Sequence, residues 1–296
     1  MYHLENDRLK IGIKHKGAEL CSIKSIHSDK EFMWQADPSV WGSHAPNLFP
    51  IIGMMKAGRY NYKGKSYNMP KHGFVRHNED FEVNKLSDTR IEFILNSNAE
   101  LKEIYPFDFR FKISYELKDD TLIVHHEVEN LDTDNIYFSL GGHPAFNCPL
   151  PHEENYSDYS LEFEKPEQSE SYLLDLTSGL VTDNTKPVFS SVNTIKLRPD
   201  LFNEDALVFK DLNSKSVFLK HSSKGTVLTL KFDGFDYLGI WAKPNAPYVC
   251  IEPWQGIADS IHTTQELTEK EGIIELAPKS TYKATYSIEI DKGHLV

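Results

Sequence analysis

Residues 109–117 alternate without a break: Phe109, Phe111, Ile113, Tyr115 and Leu117 are apolar, and charged or polar residues stand between them. Neighbouring side chains of an extended chain point to opposite faces, so this pattern predicts a strand with one face in a core. After Lys118-Asp119-Asp120 the pattern resumes with Leu122, Val124, His126 and Val128, which predicts an antiparallel hairpin. The same period appears in Leu9, Ile11 and Ile13, and in Ile91, Phe93 and Leu95. Residues 60–62 and 66–69 flank Lys63-Gly64 and read as a second hairpin. Further strands are expected over 136–140, 159–163, 206–209, 217–219, 226–232, 237–242 and 282–290. Helical signals are few. Asn98 caps a short helix expected over 99–105, stopped by Pro106, and Thr264 caps another over 265–271. The segments 151–158 and 164–193 read as long loops. With no strand–helix alternation and no internal repeat, the expectation is an all-β chain. It is a single domain over 1–296, a large antiparallel β-sandwich with a few short helices.

The 296 residues allow an extensive core without covalent staples. A net charge of −12 argues against a nucleic-acid partner, which favours a basic face. Cys21, Cys148 and Cys250 are odd in number and far apart, which suits reduced thiols in the cytoplasm. The start has no basic segment followed by an apolar one, so no secretory signal is read there. No apolar run approaches the ~20 residues of a membrane span, and no membrane partner is expected.

Three stretches carry candidate chemistry. In Tyr248-Val249-Cys250-Ile251-Glu252-Pro253-Trp254 an apolar run leads to a carboxylate. Pro253 has no N–H to donate, so strand pairing is expected to end near Glu252. A carboxylate at a strand exit beside an indole suits a concave site, and the face of Trp254 suits the C–H face of a sugar ring. A solvated strand-end acid explains Glu252 equally well on this segment alone. In Gly141-Gly142-His143-Pro144-Ala145-Phe146, two glycines permit a turn or close approach to a ligand, and Pro144 holds His143 extended. The third stretch places His72 in Pro70-Lys71-His72-Gly73-Phe74-Val75-Arg76. Trp34, Trp41 and Trp241 read as core.

His72-Gly73-Phe74, Gly141-Gly142-His143-Pro144-Ala145-Phe146 and Glu252-Pro253-Trp254 stand in the order and approximate spacing of the aldose 1-epimerase (galactose mutarotase) family. Tyr105-Pro106-Phe107-Asp108-Phe109 and Val128-Glu129-Asn130 add to the likeness. The chain most resembles the bacterial branch encoded beside lactose and galactose genes, over essentially its whole length. The resemblance implies a large β-sandwich with its active site in a cleft on one sheet. It implies that Glu252 is the general base, that His143 is the general acid, and that His72 contacts substrate near the ring oxygen. It offers Asp205 as the aspartate that binds sugar hydroxyls. The family's galactose enzymes carry an arginine in the segment that reads 47–53 here, where this chain has none, so the resemblance does not imply which aldose is used. The related hexose-6-phosphate mutarotases carry an arginine at the place of Arg76, where it helps to hold phosphate. Arg76 could instead pair with Glu79 or Asp80, or donate to sugar hydroxyls. Only Lys56 and Arg59 follow the arginine-free segment closely, and the reading is therefore a neutral hexose such as galactose or glucose.

The residue chemistry suits that reaction. Anomer exchange needs the C1 hydroxyl proton removed and a proton delivered to the ring oxygen. A carboxylate and an imidazolium do both, each typically worth ~10²–10⁴-fold. No cofactor or metal is called for, and no phosphate loop or compact metal motif stands in the sequence. Three other readings remain open. A glycoside hydrolase would pair Glu252 with Asp205 or Asp259. A non-catalytic sugar-binding protein would keep the cleft alone. A metal enzyme would draw on His72, His77, His125, His126 and His143, although His125 and His126 fall on opposite strand faces. The partner is a small sugar, and the chain is a monomer or homodimer.

Overall fold

The computed structural model describes residues 1–150 and 153–296. Its body is two antiparallel sheets laid face to face. The larger has nine strands, with Phe109–Lys118, Thr121–Asn130 and Thr281–Ile290 near its middle. The alternating segment forms the hairpin the pattern requires. Lys118 pairs with Thr121, Leu117 with Leu122 and Phe111 with Val128, around a turn in which Asp119 takes φ 52°. The second hairpin, Arg59–Tyr62 with Lys65–Asn68, turns on Lys63 and Gly64, both at positive φ.

The smaller sheet has eight strands. Val181–Lys186, Ser171–Leu174, Leu207–Phe209, Tyr237–Trp241, Tyr248–Gln255, Leu140–Gly142 and Asn47–Leu48 lie in that order, and Ala145–Asn147 also pairs with Tyr248–Gln255. Its inner face carries Leu207, Phe209, Leu238, Ile240, Val249 and Ile251 into the core between the sheets. Across that core Phe49 stacks on Phe111 at 4.4 Å, and Asn47 Oδ1 lies 3.2 Å from Nε2 of buried His126. The outer face carries the alternate residues. Leu48, Ile52, Val208 and Trp254 join Val181, Ile257 and Ala258 there in a second, smaller apolar cluster.

Four local expectations need correction. The 164–193 stretch is not a plain loop: it contains Ser171–Leu174 and Val181–Lys186, a hairpin that closes one edge of the smaller sheet. The exposed polar run Asp183-Asn184-Thr185 conceals that edge strand, which buries too little to alternate. Residues 265–271 form only the 3-10 turn Leu267–Glu269, because Gln265 takes φ 67° and breaks the entry to a helix. The strand read over 136–140 divides at Ser139 into Ile136–Phe138 and Leu140–Gly142, which pair in different sheets. Of the loop read over 151–158, residues 151 and 152 lie outside the described residues, and Tyr156–Asp158 is a 3-10 turn. The helix at Ala99–Ile104 is present, with Asn98 accepting from the Leu101 N–H.

The fourth correction bears on function. Pairing does not end at Glu252: Glu252 sits opposite Gly239, Pro253 opposite Leu238 and Trp254 opposite Tyr237. Ile251 donates its N–H to Pro144 O. Pro253 keeps its place opposite Leu238, and in the register of Leu140–Gly142 it falls opposite Gly142, so the proline does not end the strand.

Candidate active site

Because Ile251 points inward, Glu252 and Trp254 point outward, into a cleft of about 220 Å³ on the outer face of the smaller sheet. Gly239, opposite Glu252, makes room for this floor. A Cβ there would meet Trp254 Cη2 at 2.4 Å. The Gly-Gly before His143 serves packing too. A Cβ on Gly141 would strike Pro253 O at 2.6 Å, and one on Gly142 would strike Tyr286 Oη at 2.8 Å. Neither glycine lines the cleft, so the ligand approach considered for them gives way to close contact between protein layers.

His143 follows directly, its N–H bonded to Pro46 O. Its Nε2 lies 3.2 Å from Glu252 Oε2, with the carboxylate only 1 % exposed. Burial disfavours charge on both groups: it raises the Glu252 carboxyl well above the usual carboxylate range and lowers the imidazole. Lys71 and, more weakly, Arg76 pull Glu252 back toward the carboxylate, Asp205 pushes the other way, and both cations lower His143 further. The Trp254 indole N–H also favours the carboxylate, yet it meets no hydrogen-bond geometry and stays unpartnered. Burial thus favours the uncharged form of the pair, carboxyl beside imidazole.

His72 is set by backbone strain. It takes φ 65°, with Gly73 at 74°, where a Cβ would meet Phe49 O at 2.0 Å. Its N–H donates to Gly53 O at 2.9 Å, and Gly53 N–H donates to His72 Nδ1 at 3.1 Å. A nitrogen that accepts carries no proton, so the ring is neutral with its hydrogen on Nε2. Burial, the largest influence, and the neighbouring His143, Lys71 and Arg76 all lower its basicity in the same sense.

The cleft gathers Glu252, His143, His72, Asp205, Arg76 and Trp254 on its walls. Asp205 takes φ 70° and accepts from the Ala206 N–H through Oδ1; its other oxygen has no partner among the described residues. Arg76 pairs with neither Glu79 nor Asp80. It donates to Ser43 Oγ at 3.3 Å, while Glu79 pairs with Lys16. Lys56 is turned away, bonded to Ile261 O.

Lys71, Trp41 and Trp241 also line the cleft and were not among the residues read as site. Trp241 could have been found: it alternates with Leu238 and Ile240 and so must face outward with Gly239. Lys71 adjoins His72. Trp41 lies in a stretch without periodicity, where nothing signals its position.

Competing site chemistries are narrowed. Asp259 is buried against Lys270 at 2.9 Å and binds the Lys56 N–H, so it cannot serve as Glu252's partner acid. Of the five histidines of the metal reading, only His72 and His143 share the cleft. His126 is in the sheet–sheet core, His125 bonds Thr285 on the outer face of the larger sheet, and His77 lies outside the cleft. His143, Cys250 and Glu252 have ligand atoms within 4.8 Å of one another. Burial raises the Cys250 thiol well above its usual range.

A family model described as "Aldose 1-epimerase" matches residues 1–288. "Protein LacX, plasmid" of Lactococcus lactis subsp. lactis is 34% identical over 302 residues, covering 97% of this chain and 98% of that protein. A galactose mutarotase related enzyme from Lactobacillus acidophilus superposes with a TM-score of 0.90 at 36% identity, over 99% of this chain and 97% of that one. A galactose mutarotase-like protein from Lactobacillus casei ATCC 334 gives 0.91 at 29% identity, over 98% and 100%.

Proposed function

The chain belongs to the aldose 1-epimerase family, and from that premise we propose that it interconverts the α and β anomers of a free neutral hexose, galactose or glucose, with Glu252 as base and His143 as acid. The observation that carries this reading is the buried Glu252–His143 pair on the floor of a cleft with room for one sugar ring. A pyranose seated with its C1 hydroxyl at Glu252 and its ring oxygen at His143 presents a donor to one and an acceptor to the other. It therefore selects the carboxylate–imidazolium form of the pair. Glu252 takes the hydroxyl proton, C1 becomes a carbonyl, the C1–O bond of the ring breaks, and His143 gives its proton to the departing oxygen. Rotation about C1–C2 presents the other carbonyl face, and the same two groups, with roles exchanged, close the ring. The proton count of the pair is restored, so no further reactant is consumed. His72, neutral with its proton on Nε2, supplies a fixed donor near the ring oxygen. The free carboxylate oxygen of Asp205 and the guanidinium of Arg76 supply an acceptor and donors for hydroxyls, and Trp254 an apolar wall.

One observation favours a second reading. Lys71 and Arg76 both line the cleft, and two cations suit an anionic substituent such as a sugar phosphate. Asp205 and Glu252 on the same walls offset them. Anomer exchange by freshly dissolved α-glucose, α-galactose and α-glucose 6-phosphate should be followed side by side by polarimetry. The neutral-sugar reading expects acceleration well above the spontaneous rate, with kcat/KM for glucose at least equal to that for its phosphate. A preference for phosphate beyond about tenfold, ~1.4 kcal/mol, that is lost in Arg76→Ala would establish the anionic substrate instead. Saturable sugar binding without acceleration would mean a binding protein.

A further inference from the structure

A histidine that works through one ring nitrogen is ordinarily held at the other by a carboxylate or a backbone carbonyl. His143 lacks a firm support of this kind: its buried Nδ1 meets no partner of hydrogen-bond geometry among the described residues, and only its own backbone favours the protonated ring. Aromatic rings surround it instead. Trp41 stacks on the imidazole with centroids 5.1 Å apart and planes 26° apart. Trp241 meets it edge-on at 5.9 Å, and His72 at 5.6 Å. Trp41 is itself well fixed. It stacks on Tyr248 at 5.5 Å, its carbonyl accepts from Trp34 Nε1 at 2.8 Å, and its N–H donates to Asp37 O at 2.8 Å.

We propose that Trp41 is a positioning residue for His143: its indole face holds the imidazole toward Glu252 and stabilises the imidazolium that the reaction requires. The inference rests on the reading of His143 as the acid. The charges around the ring show why a face is needed. Glu252 at 3.2 Å favours the protonated ring; Arg76 and Lys71 oppose it, and His72 is neutral. Trp241 stands nearly perpendicular to the imidazole, at 87°, and so does not stack on it. Among the described residues Trp41 is thus the one aromatic ring stacked on His143, and a cation lying over an indole face within ~6 Å gains enough in a dry site for roughly tenfold or more in the population of the charged form.

The test uses the full chain with Trp41→Leu and Trp41→Phe, measuring kcat and KM for anomer exchange across pH. The protonation of the His143 ring is followed by histidine NMR, its resonance assigned by its loss in His143→Asn. Trp41→Leu should lower kcat about tenfold or more, leave KM nearly unchanged, and move protonation of the His143 ring to lower pH. Trp41→Phe should recover most of kcat, since a phenyl face still offers the charge a partner. If Trp41→Leu fails to fold, the Phe variant carries the test through a smaller shift in the same direction. A rise in KM with kcat and the ring titration unmoved would overturn the inference and make Trp41 a sugar platform. A loss of kcat with no change in the titration would overturn it as well, leaving only a structural role. Full activity in His143→Asn would sink the acid assignment instead, and the titration would still decide what Trp41 does to the ring.

Discussion

Glu252 lies in the middle of a paired strand with 1 % of its side chain exposed, beside an imidazole that shares its burial. Such a carboxylate is costly to keep, and groups shifted by desolvation inside a cleft are candidates for a functional role. His126 is the instructive contrast. It is as buried, but it stacks on Phe111 in the sheet–sheet core, bonds Asn47, and is held down to about 3 by burial. A folded-state value below the unfolded one means that the native state prefers the neutral ring. Its stabilising contribution is therefore complete above roughly pH 6.5 and lost as pH falls toward the folded value. His143 acts in the same sense. Glu252, raised by burial, acts in the opposite one, its contribution complete below the usual glutamate value and lost as pH rises through its folded value. Replacing His126 by Gln removes one titration while keeping a donor toward Asn47. Urea unfolding of the variant should therefore lose less stability than the native chain between neutral pH and about pH 4. An equal loss in both would show that His126 is not a neutral buried ring.

At the scale of elements, the segment after Glu252 depends on one buried ion pair. Lys270 Nζ binds Asp259 Oδ1 at 2.9 Å and Ile257 O at 2.6 Å, while Asp259 also holds the Lys56 and Val181 segments. The pair thereby fixes Ile257 and Ala258, which wall the cleft. Lys270→Met leaves Asp259 buried and uncompensated and should cost ~3–5 kcal/mol. Adding Asp259→Asn should recover part of it, and a single variant as stable as the native chain in urea would show that the clamp is idle. How far such elements can be read from sequence depends on whether a face is buried. The Phe109–Lys118 and Thr121–Asn130 strands are legible because every second residue of each is buried. Val181–Lys186 is not, since an edge strand with an exposed polar run has no such contrast. At Glu252, the proline rule marks a strand end where pairing continues. Short motifs single out His143, His72 and Glu252, which the fold brings to one cleft. Trp41 reaches the cleft from an irregular segment, and only folding brings it to His143.

For the whole molecule, one apolar cluster extends from Leu4 to Leu295 and includes inward residues of both large sheets. The cleft rides on the outer face of that body, and no helix among the described residues is long and apolar enough to cross a membrane. We propose that the chain unfolds as one cooperative unit. Calorimetry should then show a single transition whose van't Hoff and calorimetric enthalpies agree, and two resolved transitions would divide the chain into separate domains. Activity tests the organisation of the whole most directly. The account makes anomer exchange depend on the Glu252 carboxylate, and Glu252→Gln keeps its shape while removing the proton acceptor. With the chain folded and freshly dissolved α-galactose or α-glucose as substrate, kcat of Glu252→Gln should fall ~10²–10⁴-fold below the native value; retention of more than about a tenth of it would contradict the assignment of Glu252 as the base.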